Sequence, residues 1–222
     1  TKSVSLTNSI AVGDNPNEIL LNRSGELLYV ANANDNSVSV IDILSKKVIE
    51  VLNAALFPNA PVGSASNGLA LSGDEKTLYI ANADNNCLAV YDVSEKGVSR
   101  AKGFIPVGWY PTNIKVVGKK IWVTNGKGFT SLANPYGPNP ARKREEVVYQ
   151  KGDPNKVQEV QYIGGLFKGT MSIIQEPNDQ MLAMYSKQVY KNTPYNKAGE
   201  LKANGETGNP IPMKVGAASP IK

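Results

Sequence analysis

The chain has 222 residues, of which 41% are hydrophobic and 19% charged, with 20 glycines and 14 prolines. That length suffices for a buried core, and the turn-forming content favours strands joined by tight turns over long helices. A net charge of +5 is of the size that keeps a protein in solution and gives no ground for nucleic-acid binding, the single cysteine excludes an internal disulfide, and no apolar run is long enough to span a membrane.

The opening TKSVSLTNSI carries neither an initiator Met nor a signal-like apolar region, so location is not legible from it. From Val12 and Gly13 the chain runs through Asn17, Ile19 and Leu20 to a turn, NRSGE. A strand from Leu27 to Ala33, a polar turn at Asn34–Asn36, a strand from Ser37 to Ile43 and a fourth strand, KKVIEVL, from Lys46 to Leu52 follow. Val38, Val40 and Asp42 keep the period-2 spacing that places alternate side chains on opposite faces of a sheet. The Asn- and Asp-rich turn accepts the backbone angles that join antiparallel neighbours.

The same order then repeats at an offset of 50 residues, as Tyr29 and Tyr79 show. Val62 and Gly63 lead to Asn67, Leu69 and Leu71, the turn SGDEK, a strand from Thr77 to Ala83, the turn DNN, and a strand from Cys87 to Val93 with Leu88, Val90 and Asp92 in the alternating register. A third unit begins at Val107 and Gly108, with Pro111 at the place of Pro16, Ile114 at that of Ile19, and IWVTN where LYVAN and LYIAN stood. Asn32, Asn82 and Asn125 each end a second strand, where a short amide ties strand two to strand three through the backbone of the turn. One copy per unit marks them, with Asp42 and Asp92, as parts of the repeat and not as catalytic groups. Cys87 reads as a small half-buried strand residue, since the chain holds no histidine to activate a thiol.

The third unit is interrupted. PVGWYP places Trp109 and Tyr110 between one unit and the next, and GKGFTSLANPYGPNPARKREE forms an insertion at about 126–145 carrying Tyr136, Arg142, Lys143 and Arg144. These six residues form the candidate interaction surface, because loops on a rigid scaffold are where recognition is grafted. VVYQ and KVQEVQYI, to Ile163, are expected to supply the third and fourth strands of this unit, and GTMSII, Gly169 to Ile174, to open the next. Asn178 or Asp179 then caps a helix of about three turns with Leu182, Tyr185 and Val189 on one face and Met181, Met184 and Gln188 beside it. From Ala198 the Gly- and Pro-rich chain reads as a connector. The expected organisation is therefore sheets over 1–175, helix and connector over 176–195, and an extended linker or tail over 196–222.

Repeated four-stranded antiparallel units of this length fit the blades of an all-β propeller, because one blade cannot bury both of its faces. Three to four blades are present, with one short C-terminal helix. Chemistry is harder to find: there is no phosphate loop, dinucleotide fingerprint or zinc motif. The clusters Asn34–Asn36 and Asp84–Asn86 lack the spacing and terminal Glu of a calcium loop. No catalytic, cofactor-binding or metal residue is assigned, and no cofactor is expected.

YVAN, YIAN and WVTN, each preceded by a Val-Gly element, with SVSVIDI and CLAVYDV after the first two, resemble the YVTN family of β-propeller repeats. GTMSIIQEPNDQMLAMYSKQVYKNTPY with SPIK resembles the region preceding the phosphoesterase domain in bacterial proteins that join such a propeller to an alkaline-phosphatase-like domain. The resemblance implies a fragment of a seven-bladed ring, further blades or a neighbouring domain as partner, and a periplasmic or outer-surface setting. It carries over no activity, since nothing here matches the metal-binding Asp, Thr and His positions. The expected function is a non-catalytic scaffold or interaction module associated with a phosphoesterase domain outside this chain. Part of a metal-dependent phosphoesterase, or a glycan- or small-molecule-binding module, are the alternatives.

Overall fold

A computed structural model describes residues 5–58, 60–130, 133–134, 137, 146–148 and 159–193. The compact unit runs to Tyr190; of the second unit, 191–222, the description reaches only Thr193. Strands β1 (Pro16–Leu21), β2 (Leu27–Asn32), β3 (Ser37–Asp42) and β4 (Lys47–Asn53) form one antiparallel sheet in sequence order. Strands β5 (Ser66–Leu71), β6 (Thr77–Asn82), β7 (Cys87–Asp92) and β8 (Arg100–Pro106) form a second of the same kind. The two copies of the repeat are thus separate sheets and not parts of one continuous sheet, which makes each a blade.

The third blade departs from expectation. It contains β9 (Trp109–Val117) and β10 (Lys120–Gly128), but the segments expected to follow, β11 (Glu146–Val148) and β12 (Glu159–Gln161), pair in parallel with each other and form a sheet of their own. The third strand is instead β13 (Thr170–Gln175), antiparallel to β10, and so GTMSII joins this blade and, among the described residues, opens no fourth. The register explains why. Asn32 stands opposite Ser37, Asn82 opposite Cys87, and Asn125 opposite Thr170. Placing Thr170 there puts Ser172 where Ser39 lies in the first blade, so the amide of Asn125 meets the same two hydroxyl positions.

The blades stack face to face over two cores. Leu27, Tyr29, Val38, Val40 and Leu52 of the first meet Leu69, Leu78, Ile80 and Tyr91 of the second. The other face of the second blade, Tyr79, Leu88, Val90 and Ile105, meets Ile114, Ile121 and Val123 of the third. Alternation along β6 and β7 supplies both surfaces, which is why these strands are buried almost throughout.

Helix α1 (Asp179–Asn192) begins at Asn178, whose Oδ1 accepts the amide of Met181 at 2.9 Å. Leu182 and Val189, seven residues apart, are its buried side chains, and Tyr185 is half-buried against the second core. The helix lies on the outer strand of the second blade. Gly103 in β8 has φ +148, and a Cβ there would run into Ser186 Oγ. Without one, the amide of Phe104 donates to Ser186 Oγ at 2.9 Å. The helix therefore covers a sheet edge that would otherwise offer unpaired backbone groups.

Candidate interaction surfaces

The recurring asparagines of the repeat lie inside the blades. Asn32, Asn82 and Asn125 are all essentially inaccessible. Asn32 Nδ2 donates to Ser37 Oγ and Ser39 Oγ, both at 3.0 Å, and Asn125 Nδ2 donates to Ser172 Oγ at 2.9 Å and Thr170 Oγ1 at 3.3 Å. Their partners are thus strand-three hydroxyls, where the sequence pointed to turn backbone. In the second blade the positions of Ser37 and Ser39 are Cys87 and Ala89, and the Asn82 amide turns instead to the carbonyl of Ala54 at 2.6 Å, linking its blade to the preceding one. The Asn82 oxygen accepts from Ser66 Oγ. At the equivalent place the other blades carry Pro16 and Pro111, and the oxygens of Asn32 and Asn125 have no donor. Cys87 is fully buried, its thiol pushed up to about 12 by desolvation against a smaller downward pull from Asn82, so it is not a nucleophile.

A second set of side chains fastens blade to blade. Asn36, itself buried at φ 51, accepts the amides of Gly63 at 2.9 Å and Ser64 at 2.6 Å and donates to the carbonyl of Pro61 at 2.9 Å. Asn86, at φ 53 in the matching turn, accepts the amide of Tyr110 at 2.8 Å. Each segment so held contains a residue in the left-handed region, Ala65 and Tyr110, as does Asn15 before the first blade. At the opposite end of the strands Asp42 pairs with Lys96 of the second blade and accepts the amide of Ser45. The Lys96 hydrogen bond, then those of Ser45, hold the Asp42 carboxyl well below its ordinary range. Asp92 closes its strand by accepting from the Ser94 amide and hydroxyl, which lower its carboxyl in the same way.

Of the candidate surface residues, Trp109 is 40% exposed, and the Tyr110 ring carries Lys127 Nζ at 4.4 Å from its centroid while its amide serves the inter-blade latch. Tyr136, Arg142, Lys143 and Arg144 lie outside the described residues. A cleft of about 380 Å³ runs along the first strands, with Glu18, Arg23, Asn113 and Lys115 among its lining residues. Among the described residues no group of three or more Cys, Asp or Glu side chains could hold a metal ion. No helix among them is long and apolar enough to cross a membrane.

The most distinctive surfaces are the two end faces of the stack. Leu69 in the second blade is 5% exposed, whereas Ile19, at the same register in the first, is 66% exposed. Leu21, Ile43 and Val51 are likewise exposed where Leu71, Val93 and Phe104 pack into a core. At the other end Met171 is 55% and Ile173 54% exposed, while their counterparts Leu88 and Val90 are 0% and 2%. Tyr79 of the second blade hydrogen-bonds Glu176, which follows the third strand of the next blade. Trp122 holds that position in the third blade, and its indole N–H is buried without an acceptor. That a stack of blades leaves an apolar face uncovered was legible in the sequence; which side chains stand on the third-blade face was not, because that takes the alignment of TMSIIQ with SVSVID.

No protein-family model matches the chain, and no curated protein matches it. Among solved structures it is similar to hydrazine synthase of Kuenenia stuttgartiensis, at 23% identity over 56% of this chain and 33% of that one, with a TM-score of 0.43. It is also similar to the Cps50 (Swd1) beta-propeller domain of Myceliophteria thermophila, at 15% identity over 55% and 36%, with a TM-score of 0.45. A candidate 6-phosphogluconolactonase of Bacteroides uniformis matches at 20% identity over 51% and 34%, with a TM-score of 0.45. The chain spans about a third of the length of each.

Proposed function

We propose that this chain is a non-catalytic propeller module whose work is association through its end blades. The observation that carries the reading is the pair of apolar end faces, each presenting side chains at the registers that are buried where two blades meet inside the chain. Exposed apolar patches of this kind mark interaction sites. The resemblance of the repeat to YVTN propellers supports a place beside a phosphoesterase domain, at the periplasmic or outer surface of a bacterium. Hydrolysis then belongs to that domain, since this chain has no histidine and no metal-ligand cluster among its described residues.

The test is turnover of a simple phosphodiester such as bis(p-nitrophenyl) phosphate by the purified chain, with zinc, manganese or calcium supplied. The expected result is no rate above that of the metal ion alone. Turnover that a chelator abolishes and that follows the protein through purification would refute the assignment.

A further inference from the structure

Helix α1 buries two side chains of its fourteen residues, and it buries them in different places. Leu182 enters the core shared by the second and third blades, beside Leu88 and Ile121. Val189 enters a separate cluster with Cys87 of the second blade and Leu56 of the segment that leaves the first. The helix therefore crosses the outer strand of the second blade with one peg in the groove on either side of it. Seven residues of α-helix advance about 10 Å, and stacked sheets stand about 10 Å apart, so the spacing of the pegs is the spacing of the grooves. Between the pegs Ser186 occupies the sheet edge. Its Oγ accepts the amide of Phe104 at 2.9 Å and lies 3.4 Å from the carbonyl of that residue, while its hydroxyl donates to the carbonyl of Leu182 at 2.8 Å. Tyr190 ends the crossing, its hydroxyl donating to the carbonyl of Leu56 at 2.8 Å and its ring standing edge-on to Phe104.

We infer that α1 is a releasable strap: it lifts from the rim as one piece while the blades stay folded, and its lifting bares the edge of β8 and the thiol of Cys87. The inference stands apart from the non-catalytic reading and does not need it. Three features of the attachment carry it. The core between the first and second blades contains no residue of α1, and to the core between the second and third the helix adds Leu182 and, at the margin, Tyr185, so its departure leaves the stacked strands in contact. Much of the rest of the helix faces water. Met181 is 40% and Met184 59% exposed, and the ion pair of Asp179 with Lys102 at 2.9 Å joins side chains that are 88% and 37% exposed, where such pairs add little. Finally, a helix of this length is marginal by itself in water, so once its two pegs leave their grooves the segment opens as a unit. Closed, the strap shuts Cys87 in completely and occupies the backbone groups of Phe104. Open, it leaves β8 presenting that amide and carbonyl, the kind of groups through which a sheet edge pairs with an extended chain.

Cys87 is the one cysteine of the chain and therefore reports the opening. The experiment is labelling of the full chain with N-ethylmaleimide in increasing urea, read by intact mass, beside global unfolding read by far-ultraviolet circular dichroism. Labelling without urea is expected to run at least about 100-fold faster than global unfolding allows, with a shallower dependence on urea. Ser186→Ala, which gives up the bonds to Phe104, should speed labelling about fivefold. Val40→Ala, in the core that α1 does not enter, should move global unfolding to lower urea and leave the labelling rate unchanged. Hydrogen exchange should show the amide of Phe104 opening together with those of Ser186–Val189. Labelling with the full urea dependence of global unfolding, a Val40→Ala variant that labels faster in proportion to its lost stability, or a Ser186→Ala rate equal to that of the wild type overturns the proposal. None of these readouts involves phosphodiester turnover, so the strap and the non-catalytic reading fail separately.

Discussion

Asn36 offers the sharpest test of how one blade holds the next. Its side chain makes three hydrogen bonds to the segment Pro61–Ser64, and Ser64 is itself buried, so removal strands the Ser64 amide away from water, whereas Gly63 is exposed and its amide can turn to solvent. A stranded buried donor of this kind costs about 2 kcal/mol, the middle of the usual range. Asn36 also sits at φ 51, where replacing Asn by Ala adds about 1 kcal/mol of backbone strain. Asn36→Ala is therefore expected to lose about 3 kcal/mol, and Asn36→Gly, which keeps the backbone at ease, about 2 kcal/mol. Asn36→Asp keeps both acceptor bonds and gives up only the donation to Pro61, about 1 kcal/mol. Urea unfolding followed by far-ultraviolet circular dichroism reads these as shifts in midpoint at constant slope. An Ala variant within about 0.5 kcal/mol of the wild type, or an Asp variant no better than Ala, would refute the latch.

Gly103→Ala should force Ser186 away from β8 and cost about 2 kcal/mol through the positive φ and the clash, with faster amide hydrogen exchange over Leu182–Val189; unchanged protection there would sink that account. The pair of Asp42 and Lys96 predicts a pH dependence. Because the native carboxyl lies below its ordinary value of 3.8, its contribution is full above that value and is lost as pH falls through the lowered native one. The stability difference between wild type and Lys96→Met should therefore be constant near neutrality and shrink in acid. A gap that persists unchanged through acid unfolding contradicts the assignment.

Much of the architecture was legible because its signals are local. Strand alternation at Val38–Asp42 and Leu88–Asp92, turn residues at fixed offsets and the Val-Gly element ahead of each blade together define the units, and repetition lets weak signals confirm one another. The helix cap was narrowed to Asn178 or Asp179, and the bond from the Met181 amide decides for Asn178. The strand after the insertion was not legible: VVYQ has the composition of a third strand, and only pairing tells it from TMSIIQ, since composition carries no information on which strand edge a segment reaches. The roles of the asparagines divided the same way. Their place at the end of strand two is periodic, but the bonds of Asn32 and Asn125 to hydroxyls, and of Asn82 to Ala54, depend on whether strand three brings a hydroxyl to meet them.

The amino-acid sequence by itself determined that this chain builds repeated antiparallel blades and contains no histidine, because the first follows from local periodicity and the second from composition. The tertiary structure alone decided that Thr170–Gln175 is the third strand of the third blade, that α1 shields the outer edge of the second, and which apolar side chains stand exposed on the end faces. Alternation states that a side chain leaves one face of a sheet; whether water or another sheet waits there is set by contacts between residues far apart in the chain.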